Sequence, residues 1–471
     1  MDIPETYRNK RALIKLDSNG KLLWEIYGAG KYIPNRLKVD QDNNLVALGH
    51  IDRANLELYR NGIASDTLAT LNYLPQINQI MVKFSPEGEV LWEVGLYFQE
   101  TNGAGSVDFG IDGDNNIYLT GHYEHRVDFY SAGSAIPQSI TSTGNSTYGS
   151  KTFVSKVDPD GQLIWKVRSY TQSGSNSDRT RPFAIAVDDA GYSYLTGTND
   201  VSDSTTVHRL ESTDGTTTEA HLGGFYLAKL NPSGVWEWIQ GGRYARSGGG
   251  HDILLKDDQV YTIGTPGWGP DDISTFTFST AAGDEIELTI SEYDYFMAVY
   301  DTTGVLQRVV QNGENYLGQA VQLLGFAGFF AGEDGSFYLS ANVSYFLNNS
   351  NYSNFGQIIE PTDGVDGIIT RFVEDCGIIY PSQPVSTTDA VENFNQYTVF
   401  PNPASEQVSI TFGGIKAKVA ITVYDARGRR VSSTVVEDQA SYEFSLVGPV
   451  GLYLISITEN DKVYTRRLLK Q

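Results

Sequence analysis

The sequence predicts an all-β protein: a β-propeller of five complete blades, six counting an N-terminal hairpin, followed by a small β-sandwich. Three observations carry this. A phrase of apolar run, Asp/Gly turn and apolar run recurs at even spacing, a second such phrase falls between its copies, and the composition suits turn-rich sheets. Among 471 residues, 48 are Gly and 12% are aromatic, with 29 Tyr and only 19% charged. The glycines have no three-residue period, and a coiled coil would need far more Glu, Lys, Ala and Leu. Apolar and aromatic residues are plentiful enough to exclude general disorder. No run approaches the ~20 apolar residues of a membrane-spanning helix.

The first phrase begins with Lys15 and ends at Trp24. It returns from Lys83 to Trp92, from Lys156 to Trp165 and from Lys229 to Trp238, with nine residues from Lys to Trp each time. Degenerate copies follow near Val299 and Arg371, so equivalent positions are separated by 68, 73, 73, 70 and 72 residues. The second phrase occurs at 39–49, 111–121 and 187–197, and more weakly at 255–264 and 332–341. Each phrase is a hairpin signal, because Asp and Asn accept hydrogen bonds from nearby backbone amides and Gly takes positive φ. Two hairpins per ~70 residues make a four-stranded blade that must stack on neighbours to bury both faces. Trp24, Trp92, Trp165 and Trp238 are expected to fill the gaps between blades. The two phrases together resemble the SBBP-type bacterial propeller repeat over roughly residues 10–380, which implies a scaffold and no activity.

Five inserts, at 52–79, 123–150, 199–224, 266–293 and 342–366, occupy the same point of the repeat. Their Ser, Thr, Gly and Asn content reads as exposed loops with short strands, clustered on one rim where a ligand would bind. Residues 381–396 read as a linker, leaving 1–380 as propeller and 397–471 as a C-terminal domain of about seven short strands, immunoglobulin-like in rhythm.

Within that domain Pro401, Asn402 and Pro403, then Gly428 and Arg429, then Gly451 and Tyr453, then Lys470 appear in order and end with the chain. These blocks resemble the type A sorting domain of the type IX secretion system. The resemblance implies a Bacteroidetes cargo, recognition by the translocon, cleavage of the domain and attachment to surface lipopolysaccharide. The expected location is secreted or outer-membrane-associated cell surface. Residues 1–6 lack a basic end and apolar run, so the numbering is expected to start after a removed leader, or Met1 was added for expression. Cys376 is the single cysteine, which excludes an intrachain disulfide.

The formal charge is −23, from 34 basic and 57 acidic residues. From Asn395 onward there are 9 basic and 7 acidic residues, against 25 and 50 before it. So acidic a body repels phosphate backbones, and nucleic acid is excluded as its partner. Arg427, Arg429, Arg430, Arg466, Arg467 and Lys470 form a basic set that a translocon or anionic glycolipid could read; solubilising charge at strand ends is the alternative.

Candidate chemistry is sparse. Asp40–Asp42, Asp112–Asp114 and Asp188–Asp189 could offer oxygens to Ca²⁺, but none completes an EF-hand series, and turn bonding alone accounts for them. His122 and His125, with His50 at the position matching His122, fall short of a zinc set, since strand residues three apart face opposite ways. No nucleophile elbow, zinc-protease motif or phosphate loop is present. Trp268, Tyr244 and Tyr352 could stack on sugars or anchor loops. Neither a catalytic nor a metal-binding set is therefore assigned. The reading is a non-enzymatic surface propeller binding a glycan or protein through its rim. A hydrolase or lyase of polysaccharide and a structural adhesin or gliding component are the alternatives.

Overall fold

The computed structural model describes most residues of 12–372 and 398–470, with breaks at connections between strands. No described residue is helical. The chain divides into two compact units, Met1–Pro381 and Ser382–Gln471.

The first unit opens with a two-stranded half-blade, β1 (Ala12–Leu16) and β2 (Leu22–Ala29). Blade 1 follows as β3 (Ile33–Val39) and β4 (Leu45–His50), then an insert hairpin β5 (Asn55–Arg60) and β6 (Thr67–Asn72), then β7 (Gln79–Phe84) and β8 (Val90–Phe98). Blade 2 repeats this as β9 (Gly105–Ile111), β10 (Ile117–Tyr123), insert β11 (Arg126–Tyr130) and β12 (Gln138–Thr141), β13 (Lys151–Val157) and β14 (Leu163–Gln172). Blade 3 has β15 (Arg179–Val187), β16 (Ser193–Asp200), insert β17 (Val207–Glu211) and β18 (Thr217–Ala220), β19 (Gly224–Leu230) and β20 (Trp236–Arg243). Blade 4 has β21 (Arg246–Lys256), β22 (Gln259–Trp268), insert β23 (Ile273–Ser279) and β24 (Glu285–Ser291), β25 (Phe296–Asp301) and β26 (Leu306–Gln311). Blade 5 shows β27 (Gln322–Ala331), β28 (Phe337–Ser344), insert β29 (Tyr352–Asn354) and β30 (Gln357–Ile359), and β31 (Val365–Phe372).

The short strands expected within the inserts are present, as at 273–279 and 285–291, but they belong to a neighbouring sheet rather than to exposed loops. The hairpin β5–β6 pairs with β2, β11–β12 with β8, β17–β18 with β14, and β23–β24 with β20. Each therefore leaves its own blade and lengthens the outer edge of the preceding one. The reason is the edge itself: an outermost strand presents unpaired amides and carbonyls, and covering them removes a site for promiscuous pairing. Alternating residues such as Val127 and Phe129, both buried, supply the face that packs.

The cores lie between blades. Consecutive residues on β4 and β7 go to opposite faces, so Ala47 and Val82 pack with Leu13 and Trp24 of the half-blade. Val46 and Met81 instead pack with Phe109 and Phe153 of blade 2. Comparable clusters join blades 2 and 3 through Val154 and Tyr226, and blades 3 and 4 through Phe225 and Phe296. A fifth joins blades 4 and 5 through Tyr261 and Phe337.

The repeated phrase has a structural meaning visible in the contacts. The indole N–H of Trp24 donates to Pro86 O at 3.0 Å, Trp92 to Pro159 O at 2.7 Å, Trp165 to Pro232 O at 3.0 Å, and Trp238 to Thr302 O at 3.3 Å. Each Trp thus reaches the turn of the next outer hairpin. Lys and Trp are cross-strand partners, as in Lys83↔Trp92, and a bulge at Leu91 sets their nine-residue spacing. Bulge residues Leu23, Leu91 and Ile164 are exposed for that reason. Behind the tryptophans, Lys83 Nζ meets Asp40 Oδ2 at 2.8 Å and Lys156 Nζ meets Asp112 Oδ2 at 3.6 Å, tying inner hairpin to outer hairpin within a blade.

The second unit contains β32 (Thr398–Phe400), β33 (Gln407–Asp425), β34 (Arg430–Ser445), β35 (Gly451–Glu459) and β36 (Lys462–Lys470). These are five described strands where about seven short ones were expected. Strands read as separate, such as 407–412 and 417–424, are halves of one 19-residue strand. Its register on β34 shifts between Thr411 and Lys416, so the chain bends without leaving the sheet. The sheet order is β32-β33-β35-β36 with β34 also on β33, around a core of Ile410, Phe412, Ile421, Ile455 and Leu468.

Candidate functional site

Every innermost strand carries a β-bulge at one repeat position. The register skips a residue between Pro34 and Arg36, between Ser106 and Asp108, between Pro182 and Ala184, between Gly250 and Asp252, and between Phe326 and Gly328. Pro34 and Pro182 cannot donate to a ladder, which favours a break there. A bulge re-aims the side chain that follows it. The residues at that point are Arg36, Asp108, Ala184, Asp252 and Gly328; Arg36 and Lys38 stand against Asp108, and the Asp108 and Lys38 charges act on the Asp252 carboxyl. The bulges lie in the strand halves away from the Asp/Asn turns, on the face where the inserts begin.

Asp108 Oδ2 accepts the amide of Ile185 from the next inner strand at 3.1 Å. Asp252 does the same with Phe329 N at 2.8 Å, and its Oδ1 accepts Ile253 N at 2.8 Å. Arg36 Nε stands 3.6 Å and Lys38 Nζ 4.0 Å from Asp108 Oδ1. The Asp108 side chain is 11% exposed against 46% for Arg36, so the cations front the carboxylate toward solvent. Burial pushes the Asp252 carboxyl up to about 6; the Asp108 charge adds to this, while the amides of Ile253 and Phe329 and the Lys38 charge oppose it. Such a group holds a proton in mild acid and exchanges it near neutrality.

A folded carboxyl titrating above its ordinary value of 3.8 contributes its stability below that pH and loses it as pH rises toward about 6. The melting temperature of Asp252→Asn relative to the native chain is therefore expected to rise between pH 4 and 7. A ¹³C-carboxyl titration should place the midpoint near 6 and lose it in Asp252→Asn.

Two of the bulged residues, on blades 3 and 4, pack against each other. The rings of Phe183 and His251 stack with centroids 5.4 Å apart and planes 8° from parallel. His251 Nε2 lies 3.0 Å from Thr265 Oγ1, and burial pushes the ring down to about 4, so it is neutral at physiological pH. No motif marked Arg36, Lys38, Asp108, Phe183, His251 or Asp252. The usable signal was Pro or Gly inside an otherwise regular strand, at Pro34, Pro182 and Gly250.

The residues singled out in the sequence fall elsewhere. Asp40 Oδ1 accepts the amides of Asp42 and Asn44, while its Oδ2 meets Lys83 and the Asn44 side chain. Asp112 repeats this with Asp114 and Asn116, and Asp188 accepts Tyr192 N. Asp42 also accepts the Asn115 side-chain amide, linking turns of adjacent blades. These carboxylates work as turn locks. Groups of three or more His, Cys, Asp or Glu arranged for a metal are absent among the described residues. His50 Nδ1 lies 3.2 Å from Gln79 Nε2 at the end of β4, and His122 lies on β10 opposite Thr152. Tyr244 and Cys376 lie outside the described residues, as do the side chains of Trp268 and Tyr352.

In the C-terminal unit, Pro401, Asn402, Pro403, Arg427, Gly428 and Arg429 lie outside the described residues, as do the side chains of Arg466 and Arg467. Arg430 is exposed at the start of β34. Gly451 opens β35 and pairs with Lys470. Lys470 Nζ donates to Leu446 O at 2.7 Å and Gly448 O at 2.8 Å, and Tyr453 Oη donates to Pro449 O at 2.8 Å. Lys470 thus ties the connection before β35 to β36, and Tyr453 ties it to β35 itself.

The architecture is that of a β-propeller carrying a separate C-terminal β-domain. Residues 398–471 match the family described as secretion system C-terminal sorting domain, so the chain bears a type IX sorting domain. No curated protein matches the sequence. Among solved structures, a protein of unknown function from Bacteroides caccae is 10% identical, with 70% of this chain and 82% of that one covered, at a TM-score of 0.30. The periplasmic gluconolactonase PpgL of Pseudomonas aeruginosa is 10% identical over 79% of this chain and 96% of that one, at 0.28. Virginiamycin B lyase from Staphylococcus aureus is 9% identical over 83% and 96%, also at 0.28. Likeness at this level carries no argument about activity.

Proposed function

We propose that the protein is a type IX secretion cargo whose propeller, residues 1–380, binds a glycan or protein ligand outside the cell or at its surface, with 381–396 as tether and 397–471 as export signal. The observation that carries the export half is the sorting domain at 398–471. Its role implies translocon recognition, and we extend this to attachment at surface lipopolysaccharide. The repeat phrases support kinship with SBBP-type propellers. For the binding half, four of the five insert hairpins are committed to outer edges by their pairing with the preceding blade, while β29–β30 pairs only with itself among the described residues. That moves the proposed contact surface inward, to the cluster of Arg36, Lys38, Asp108 and Asp252 on the insert-bearing face. Charged donors and acceptors and an aromatic pair at the same repeat position of different blades suit a hydroxyl-rich ligand.

One observation favours a second reading. Asp252, raised to about 6 by burial and in part by the Asp108 charge, has the protonation behaviour that acid–base cleavage of polysaccharide would need from one of two carboxyl groups.

In a bacterium with a type IX system, the chain lacking 398–471 is expected to accumulate in the periplasm while the full chain reaches the medium or surface. Equal external amounts of both would refute the export reading. For the body, a glycan array with the full chain is expected to give signals that Arg36→Ala abolishes. Polysaccharide depolymerisation lost in Asp252→Asn would instead establish the enzyme.

A further inference from the structure

The inner edge of β1 is bare where every equivalent strand is covered. Ile14 is 53% and Leu16 49% exposed, whereas Val82 and Phe84, Ala228 and Leu230, and Ala298 and Tyr300, at the same two repeat positions, are at most 1% exposed. The cause is topological. Strands β7, β13, β19 and β25 each pair inward with β4, β10, β16 and β22, but β1 pairs with β2 alone among the described residues. Across the gap, Leu37 and Val39 of β3 are exposed as well. Between them is a cavity of about 400 Å³ lined by Leu13, Lys15, Trp24, Leu37, Leu45 and Pro86 among others.

What would fill it can be read from the other blades. Lys83 reaches Pro159 O of the next turn at 3.4 Å and, in addition, the Asp40 carboxylate of its own inner hairpin. Lys156 has Asp112 in the same place. Lys15 makes the corresponding carbonyl bond, to Pro86 O at 2.7 Å, and has no inner-hairpin aspartate. Among the described residues no inner hairpin is to spare, since β3–β4, β9–β10, β15–β16, β21–β22 and β27–β28 are each paired onward within a blade. A second copy would have to dismantle one of these blades to donate such a hairpin.

We propose that β1 is a docking edge for a β-hairpin presented by another polypeptide, alternately apolar and carrying an aspartate at its turn to meet Lys15. Backbone pairing along β1 supplies affinity, and the apolar cavity together with the ammonium supplies selectivity. The reading is independent of the ligand assigned to the axial cluster.

The probe is a synthetic peptide of residues 33–50, added to the full chain. It is expected to bind saturably and slow hydrogen exchange at the amides of 12–16. Lys15→Glu should weaken binding at least about tenfold, as loss of a charge-assisted hydrogen bond does, and a peptide with Asp40→Lys should restore it. Absence of binding, or binding unchanged in Ile14→Asp, would overturn the proposal. So would β1 amides protected in the free native chain as fully as those of β7, a measurement that needs no variant. A dimer abolished by Ile14→Asp would overturn it in favour of a second copy.

Discussion

Replacing Trp92 by Ala is expected to lower the stability of the propeller by about 3–5 kcal/mol, the range for truncating a buried aromatic in a core that cannot collapse around the void. The site meets that condition. Trp92 belongs to the cluster joining blades 1 and 2, and its indole is held by Pro159 O on the next turn. The turn in turn is shaped to the ring. Gly161 has φ of 81°, and a Cβ there would stand 3.1 Å from the indole and 2.7 Å from Ala132 Cβ. Gly161→Ala is therefore expected to cost more than the ~1 kcal/mol of a left-handed alanine alone. Leu91→Ala, one residue from Trp92 on the exposed bulge, should change stability by less than about 0.5 kcal/mol. Urea unfolding followed by far-ultraviolet circular dichroism reads all three. Equal losses at Leu91 and Trp92 would show that the tryptophan does not couple the blades.

Lys83→Met is the second large effect, expected at about 3–5 kcal/mol, because it leaves the Asp40 carboxylate buried without its cation. Both side chains of the pair are at most 5% exposed. Burial raises the Asp40 carboxyl, but hydrogen bonds from Lys83 and Asn44 outweigh it and hold the group below its ordinary value of 3.8. A depressed carboxyl contributes stability above its unfolded value and loses it as pH falls through the folded one. The gap between native chain and Lys83→Met should therefore be widest at neutral pH and narrow below about pH 3.8. Adding Asp40→Asn should recover much of the loss, since a neutral amide needs no counter-charge. Lys15→Met, at the repeat position without an aspartate, should cost far less. A loss at Lys15 equal to that at Lys83 would contradict the pairing account.

The contrast between Lys83 and Lys15 shows what was legible in the linear chain. Both occupy one position of one phrase, and hairpin chemistry sufficed to place both on the first strand of a hairpin. Asp, Asn, Gly and Pro act on backbone groups two to four residues away, as Asp40 does on the amides of Asp42 and Asn44. The export domain was readable for a similar reason, as ordered blocks of residues within one short stretch.

Partners set by long-range pairing were not readable. Asp252 meets Phe329 N from 77 positions away, and Asp108 meets Ile185 N at the same separation. Short strands within the inserts were legible, but the edge they cover lies in a different blade and was not. Local turns follow from neighbouring residues along the chain, whereas edges, buried charges and axial neighbours exist only after blades have stacked. That is why the hairpins and the sorting signal could be read from residue order, while the axial cluster and the bare edge of β1 emerged only from the folded arrangement.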